Sequence, residues 1–272
     1  MKKYFIVLLT FFVLVSCKHQ QKSVVETIEP KPLILISKDP NGVFYKWLEA
    51  SLDHEKFICY NMYKLQNKDS VRMMLKRADG IIISGGEDIH PAWYDKKDDI
   101  ERCGVTDISR DSLELMMIKF AVFNRVPLLG ICRGHQMLNV TMGGSLIIDI
   151  PDDIGSDYLH RDMSMLKKNK STAVKHMIYI KKDTYLYNIV ETDSGLVYSN
   201  HHQAVERCAD GYISSSYAYD KIIESIEPKD LMRHPFILGV QWHPEAMDAE
   251  NPLSGKIAQK FYSKVKLQYL KD

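Results

Sequence analysis

The sequence predicts a single α/β domain built on a mainly parallel sheet with helices on both faces. Between residues 33 and 142, short apolar runs alternate with segments whose apolar residues recur at helical spacing. Such alternation is typical of parallel strands joined by crossover helices. No repeat, low-complexity stretch or linker divides residues 33–270, and a chain of 272 residues fits one large domain. We therefore place the folded domain at residues 33–272.

The first half of the chain supplies the alternation. Its four strands are assigned to residues 33–37, 56–63, 80–84 and 126–131. Apolar residues at helical spacing mark the first two helices, at Phe44, Trp47, Leu48 and Leu52 and then at Val71, Met74 and Leu75. The clearest helix spans 107–124, with Ser109 as its cap and a stripe formed by Leu113, Met116, Met117, Phe120 and Phe123. A further helix runs from Arg133 to about Met142.

In the second half of the chain the alternation of strands and helices stops. Strand-like segments dominate it, at residues 174–180, 196–199, 212–217, 222–226 and 236–241. An amphipathic helix over 252–270 ends the domain.

Composition excludes several classes of protein. Lys and Arg total 36 against 35 Asp and Glu, and this balance argues against a nucleic-acid partner bound through a basic face. Hydrophobic residues at 45% and charged residues at 26% exclude a disordered or fibrous chain. Five cysteines are too few for a disulfide scaffold.

The first 32 residues predict export and anchoring. Lys2 and Lys3 precede a 12-residue run, 4–15, that is apolar except for one threonine. This run is too short to cross the ~30 Å hydrocarbon core of a bilayer, but it suits a signal peptide at 1–16. The ending Leu-Val-Ser-Cys resembles a bacterial lipoprotein cleavage site, with Cys17 as the lipidated residue and 17–32 as a tether. We expect a lipid-anchored envelope protein with its body in the periplasm or at the cell surface; a plain signal peptide is the alternative.

A candidate nucleophile lies where an apolar strand meets a helix. Cys132 stands in Gly-Ile-Cys-Arg-Gly at 130–134, with glycines two places to either side. Such a turn exposes the thiol above the sheet, and the N-terminus of the following helix stabilises its thiolate. The plainer interpretation is a buried, inert cysteine.

A candidate general base and its orienting partner follow the last strand. His243 and Glu245 are two apart in extended chain and point to the same side, with a proline between them that restricts the backbone. His243 can take the thiol proton and Glu245 can orient its ring. A surface turn is the plainer interpretation.

A third motif ends the strand at 80–84. Gly85 and Gly86 can turn their amides inward to stabilise an oxyanion, although a tight turn alone would explain them. The three motifs lie on strand ends in the order oxyanion loop, nucleophile and base.

Taken together, the motifs resemble a known family. Gly-Ile-Cys-Arg-Gly-His-Gln at 130–136 and Gly-Val-Gln-Trp-His-Pro-Glu at 239–245 resemble the flavodoxin-like fold of class I glutamine amidotransferases. Asp-x-x-Arg-Asp-x-x-Glu at 107–114 and Ser-Asn-His-His-Gln-Ala-Val at 199–205 look like the stand-alone gamma-glutamyl hydrolases of the peptidase C26 type, including gamma-glutamyl-gamma-aminobutyrate hydrolases.

The resemblance implies roles for individual residues. It makes Cys132 the nucleophile, His243 the base and Glu245 its orienting partner, and it makes the amides of Gly86 and Arg133 the oxyanion donors. The residues that it places around the glutamyl group are Gln136, Ser199, Asn200, His201, His202 and Gln203. Tyr198, Asn200 and Lys221 depart from the family pattern; at 221 the family commonly has glycine. The released amine therefore stays open.

The resemblance implies no cofactor, and a small gamma-glutamyl compound as substrate. No metal site is expected, because neighbouring His201 and His202 face opposite ways on a strand and no His-x-x-x-His or Cys-x-x-Cys pair occurs. For His160 and His176 there are two interpretations, residues that line the site or ordinary surface histidines, and the second is favoured. A homodimer is left open. Two other functions compete with hydrolysis: a non-catalytic envelope binding protein on the same fold, and the glutaminase subunit of an amidotransferase.

Overall fold

Eleven strands and seven α-helices form the protein in the computed structural model, which describes residues 31–65, 67–156, 159–162, 164, 172–232 and 236–271. The strands are β1 Leu33–Ile36, β2 Ile58–Asn61, β3 Gly80–Ile83, β4 Leu128–Ile131, β5 Ser145–Ile147, β6 Val174–Ile180, β7 Ser194–Ser199, β8 Ala204–Arg207, β9 Tyr212–Ala218, β10 Ile223–Pro228 and β11 Ile237–Val240. The helices are α1 Val43–Ser51, α2 Lys68–Leu75, α3 Ile108–Asn124, α4 Arg133–Thr141, α5 Ile150–Ile154, α6 Tyr185–Val190 and α7 Gly255–Tyr269.

The strands join into one mixed sheet with two distinct parts. Five neighbours, in the order β2-β1-β3-β4-β11, run parallel. The sheet then continues through β10, β9, β6 and β7 in antiparallel pairs, while β8 pairs with β10 and β5. This division agrees with the sequence pattern, because the second half, which has few helices, supplies the antiparallel strands.

Both faces of the sheet are covered, as the sequence predicts. Alternate residues of β1 point to opposite sides, with Ile34 and Ile36 in one core cluster and Leu35 in the other. Helices α1, α6 and α7 pack on the first cluster, and α2, α3 and α4 pack on the second. Because the parallel strands are apolar on both faces, polar functional side chains are expected at the strand ends, and the three sequence motifs follow carboxyl ends.

Helix α3 departs from its predicted cap and buried stripe. Its N-terminal cap is Asp107, whose side chain accepts from the amide of Arg110 at 3.0 Å, and not Ser109. Phe123 is 86% exposed, so the predicted apolar stripe is wrong at that end. The buried face instead combines charged with apolar residues: Arg110, Asp111, Glu114, Met117, Ile118 and Ala121. Charges lie inside because partners of opposite sign meet them there, as described below.

Four short elements have no counterpart in the sequence prediction, namely β5, β8, α5 and α6. Each is six residues or shorter, a length at which periodicity carries little signal, and β8 continues the motif at 199–205. Among the described residues, no helix is long and apolar enough to cross a membrane. The predicted signal peptide, Cys17 and most of the tether lie outside the described residues.

Candidate active site

The candidate nucleophile lies on a strained turn between β4 and α4. Cys132 has φ +52° and ψ −108°, a backbone conformation that residues with a side chain rarely adopt. A Cβ at Gly130 would lie 2.6 Å from the carbonyl oxygen of Gly134, and one at Gly134 would lie 2.0 Å from that of Ile83. Both positions therefore require glycine, which confirms the predicted glycine-flanked turn.

The turn places the thiol at the start of a buried helix. Cys132 is the N-terminal cap residue of α4, where unsatisfied amides and the helix dipole favour negative charge. Its own amide donates to the carbonyl of Val240 at 2.8 Å, which ties the turn to the end of β11. The thiol therefore lies at the N-terminal end of the α4 dipole, and β11 leads directly into the next motif.

His243 links Cys132 to Glu245. The Nδ1 of His243 lies 2.8 Å from Oε1 of Glu245, and the same ring is influenced electrostatically by Cys132. Burial lowers the pKa of His243, but the negative charges of Cys132 and Glu245 outweigh burial and raise it well above its ordinary value. This arrangement favours the imidazolium form of His243. The amide of His243 donates to the carbonyl of Tyr198 at 2.9 Å, which fixes the loop.

The third motif closes over the same thiol. A Cβ built on Gly85 would lie 3.0 Å from Cε1 of His243 and 3.5 Å from Cβ of Cys132. Gly86 has φ +145°, and together with Cys132 and Arg133 it lines one small cavity. The structure therefore brings all three sequence motifs to one point at the carboxyl ends of β3, β4 and β11.

A buried ionic network lies behind this point. We call Arg110, Asp111, Glu114 and Arg133 the arginine–carboxylate network. Arg133 pairs with both Asp111 and Glu114, and Nε of Arg110 donates to Glu114 at 2.8 Å. Arg110 also donates to the carbonyl of Gly85 at 2.7 Å. The side chain of Arg133 thus points into the network, whereas its amide lies at the first turn of α4, and the network connects α3, α4 and the loop after β3.

The cavity beside Cys132 measures about 110 Å³ and is lined almost wholly by polar residues. Of the residues assigned to the glutamyl group, five line it: Gln136, Asn200, His201, His202 and Gln203. Ser199 is fully buried outside this lining, and its hydroxyl donates to the carbonyl of His160 at 3.0 Å. A second cavity of about 440 Å³ shares Arg161, His201 and His202 with the first.

Several of the predicted binding side chains already have partners in the protein. The amide of Gln136 donates to the carbonyl of Gln203 at 2.9 Å and to Oε1 of Gln241 at 3.1 Å. His202 lies between Asp88 and Asp149, at 2.9 and 3.0 Å. Burial lowers the pKa of His202, but the two carboxylates outweigh burial and raise it.

The sequence analysis did not identify two of the pocket residues. Asp88 and Arg161 both line the small cavity, and Nε of Arg161 is buried with no hydrogen-bond partner in the described part of the chain. Asp88 follows the predicted oxyanion motif by two residues, so its position past a strand end was the available clue. Arg161 lies in a loop without any motif.

The expectation that His160 and His176 are surface histidines is wrong. They are 3% and 4% exposed, and they lie around Glu224 together with His201. The four ligand-type atoms of this group lie within 4.8 Å of one another. We call His160, His176, His201 and Glu224 the histidine cluster. The expectation of no metal site rested on short sequence spacings, and the cluster draws its residues from four separate segments.

Comparison with known proteins places this site in a family. A family model described as Peptidase C26 matches residues 52–245, well over half of the chain. The chain belongs to the Peptidase C26 family.

Named relatives of this C26 protein agree with that placement. A glutamine amidotransferase-like protein of Rickettsia prowazekii is 33% identical over 220 residues, covering 66% of this chain and 75% of that protein. The gamma-glutamyl-gamma-aminobutyrate hydrolase of Escherichia coli K12 is 28% identical over 197 residues, covering 71% and 74%. These relatives and the family support a gamma-glutamyl amide hydrolase or amidotransferase-like function.

Solved structures confirm the predicted fold class. A GMP synthase subunit of Thermoplasma acidophilum matches with a TM-score of 0.58 at 14% identity, covering 89% of this chain and 99% of that one. The CTPS glutaminase domain of Trypanosoma brucei matches with a TM-score of 0.57 at 14% identity, covering 89% and 95%. At this identity the likeness extends to the glutamine amidotransferase fold alone.

Proposed function

We propose that this C26 protein is a cysteine-dependent gamma-glutamyl hydrolase with Cys132, His243 and Glu245 as its catalytic triad. The observation that carries the proposal is the meeting of a strained cysteine, a helix N-terminus and a histidine bonded to a carboxylate. Strain of this kind persists only where the surrounding structure enforces it, and it is concentrated at functional sites. A protein that only binds a ligand requires neither the strained cysteine nor a histidine–carboxylate pair beside it.

In the first half-reaction the thiolate of Cys132 attacks the γ-carbonyl carbon of a gamma-glutamyl amide. A carbon–sulfur bond forms while the carbonyl electron pair moves onto oxygen, where the amides of Gly86 and Arg133 donate to it. When the carbonyl re-forms, the carbon–nitrogen bond breaks and the imidazolium of His243 gives its proton to the departing amine. The product on the enzyme is a glutamyl thioester, and His243 is left neutral.

In the second half-reaction His243 takes a proton from water as that water attacks the thioester carbon. The carbon–sulfur bond breaks, glutamate leaves, and the thiolate and the imidazolium are restored. Glu245 stabilises the imidazolium in both halves and holds the ring in one orientation. Each cycle therefore consumes one water and one amide, and it releases one amine and one glutamate.

Recognition of the glutamyl group would fall to Arg161 and Asp88. Arg161 lines the cavity, and its buried Nε has no hydrogen-bond partner among the described residues, which suits the α-carboxylate of the substrate. The carboxylate of Asp88 carries the opposite charge and suits the α-ammonium. The small polar cavity fits a glutamyl group, and the 440 Å³ cavity that shares Arg161 gives room for the amine.

The test is glutamate release by the purified full chain from a panel of gamma-glutamyl amides, glutamine included, with α-linked glutamyl peptides alongside. We expect hydrolysis of gamma-linked amides only, since the γ-carbonyl alone would reach Cys132 when the α-groups are held. Preference for glutamine over every other amide would favour the glutaminase role in an amidotransferase instead. Equal rates on α- and gamma-linked compounds would show that the pocket assignment is wrong.

The cysteine mechanism has its own test. Cys132→Ala should remove hydrolysis, by a factor on the order of 10⁶, because nothing else at the turn can form the thioester. Cys208→Ala, a cysteine remote from the cavity, should keep wild-type turnover. A glutamyl adduct on Cys132 in quenched reactions, seen by mass spectrometry, would support the thioester directly. Wild-type turnover by Cys132→Ala would contradict the mechanism.

We also propose, from the sequence of residues 1–32, that the enzyme acts in the cell envelope as a lipoprotein. Cleavage before Cys17 would leave a residue able to carry acyl chains, and more than one chain makes anchoring stable. Cys17→Ala should release the protein from the membrane fraction and leave its turnover unchanged. Recovery of wild-type protein with an intact Met1 N-terminus would contradict this location.

A further inference from the structure

The histidine cluster is buried beside the catalytic cavity, and the proposed hydrolysis makes no use of it. His176 lies on β6, Glu224 lies on β10, His201 lies between β7 and β8, and His160 lies in the loop that follows α5. Glu224 is fully buried and the three histidines are 3–4% exposed. Three imidazole nitrogens surround one carboxylate oxygen, Oε1 of Glu224, at 3.3 Å from His160, 3.5 Å from His176 and 3.6 Å from His201.

Each ring has an inner nitrogen that faces Glu224 and an outer nitrogen that faces away from it. The hydrogen bond made by the outer nitrogen determines whether the inner one carries a proton or a lone pair. Nδ1 of His176 lies 3.3 Å from the carbonyl oxygen of Met177, and Nδ1 of His201 lies 2.9 Å from that of Gln203. Because a carbonyl oxygen only accepts, both rings carry a proton on Nδ1. Nε2 of His160 lies 3.1 Å from the carboxylate of Asp220, which likewise requires the proton there. In neutral rings, the three inner nitrogens then present lone pairs towards Glu224.

Four electron-pair donors that converge in a buried site repel one another unless a cation lies between them. A proton on one ring is the simplest cation, but charge-assisted hydrogen bonds of this type are about 2.7–2.9 Å long. The observed separations of 3.3–3.6 Å are longer. A tetrahedral ion with bonds of about 2.0–2.1 Å holds its ligand atoms roughly 3.4 Å apart, which agrees with the three distances to Glu224, and all four ligand atoms lie within 4.8 Å of one another.

The surroundings match those of known metal sites as well. Histidine ligands of metals almost always donate their other N–H to a carboxylate or a backbone carbonyl, as all three rings do here. A divalent ion would balance the carboxylates of Glu224 and Asp220. His160 and His201 also line the 440 Å³ cavity, so an ion has a path from solvent.

We propose that His160, His176, His201 and Glu224 form a binding site for a divalent transition-metal ion, with Zn²⁺ as the best match. Three imidazoles and one carboxylate suit this class of metal, and four protein ligands make a closed site of the structural type. The ion would hold the segments around His160 and His201, which carry Arg161, Asn200 and His202, against the antiparallel strands. This inference does not depend on the proposed hydrolysis.

The experiment measures metal binding by the purified full chain. Metal content is determined by elemental mass spectrometry, and chelator-treated protein is then titrated with Zn²⁺ and with Co²⁺, whose visible spectrum reports tetrahedral coordination. We expect one ion per chain and intense tetrahedral Co²⁺ bands that Zn²⁺ abolishes. Absence of saturable Zn²⁺ and Co²⁺ binding by the wild-type protein would overturn the proposal, and a proton-stabilised cluster would be the result.

Variants locate the ion. Glu224→Gln and His176→Ala should each weaken Zn²⁺ binding at least 100-fold. Asp220→Asn, which alters the partner of His160 and none of the four ligands, should weaken it about 10–100-fold. His202→Ala is the matched control, since His202 lies between two carboxylates without further histidines and should leave affinity unchanged. Unchanged affinity in Glu224→Gln and His176→Ala, or its loss in His202→Ala, would place the ion elsewhere and overturn the proposal. Circular dichroism checks that each variant is folded.

Discussion

Two buried polar clusters flank the catalytic cavity, and they satisfy their charges in different ways. The arginine–carboxylate network, behind the nucleophile, brings two guanidinium groups to two buried carboxylates. Arg110 also pairs with Glu87, which Lys38 neutralises, so the charges balance within the protein. The histidine cluster, on the other flank, brings three imidazole rings to one carboxylate, and we propose that a bound metal ion balances it. One buried cluster therefore balances its charges with protein side chains alone, whereas the proposed charge balance of the other requires a cation from solution.

The largest expected effect comes from breaking the complete cluster. Glu114 contacts both Arg110 and Arg133, so Glu114→Gln removes one of the two carboxylate partners of each buried guanidinium group. We expect the free energy of unfolding to fall by about 3–5 kcal/mol, measured by urea denaturation. Glu191→Gln is the control, because the pair of Glu191 with Lys256 is exposed and its loss should be undetectable. Equal effects of the two variants would show that the network adds nothing beyond an exposed pair.

The second effect separates the clusters by their response to chelation. With Zn²⁺ at about 100 times its dissociation constant, binding adds about 2.7 kcal/mol of stability. Removing the ion should then lower the melting temperature by roughly 5–10 °C. Glu224→Gln should show no such response, whereas Glu114→Gln should keep it in full despite its lower stability. A chelator response that survives Glu224→Gln would remove the distinction between the two clusters.

The third effect concerns the substrate side of the cavity. Arg161→Lys keeps the positive charge but loses the forked donors, so we expect KM for a gamma-glutamyl amide to rise about 10-fold with little change in kcat. Arg161→Met should raise KM further. Arg207→Lys, on β8 and exposed, serves as the control. A fall in kcat at constant KM would instead assign Arg161 to the chemical step.

The fourth effect is a shift in pH dependence. The charge of Glu245 helps to hold the pKa of His243 above its ordinary value, and the imidazolium is needed as the acid for the departing amine. The basic limb of kcat/KM should therefore lie well above pH 6.5 in the wild type and move to lower pH in Glu245→Gln, since the histidine then loses its proton sooner. The same variant should retain more turnover than His243→Ala, which should lose about 10²–10⁴-fold. An unmoved basic limb would mean that Glu245 only positions the ring.

The same comparison explains what the sequence can predict. Cys132, His243 and Gly86 were identified because each lies in a contiguous motif at the end of a parallel strand, and parallel strands end at one edge. His160, His176 and Glu224 were not, because an antiparallel extension with long connections brings together residues up to 64 positions apart. The burial of the charged residues of α3 was not predicted for a related reason. In the sequence Arg110 and Glu114 resemble surface residues, and only the fold shows that Arg133 of α4 pairs with Glu114.

The smallest expected effect lies in the turn between β9 and β10, which carries Asp220 towards His160. Lys221 has φ +72°, in the left-handed region that favours glycine, and its side chain is exposed. Left-handed backbone costs a residue with a Cβ about 1–2 kcal/mol, and glycine loses part of that gain through its more flexible unfolded state. Lys221→Gly should therefore raise the free energy of unfolding by about 0.5–1 kcal/mol, or roughly 2 °C in melting temperature.

Lys221→Ala separates relief of backbone strain from loss of the lysine side chain, because alanine keeps the Cβ that causes the strain. It should leave stability unchanged. If alanine stabilises as much as glycine does, the backbone strain at this turn is not the cause. If neither variant changes stability or Zn²⁺ affinity, the turn accommodates lysine without strain, and the departure from glycine at this position leaves the histidine cluster unaffected.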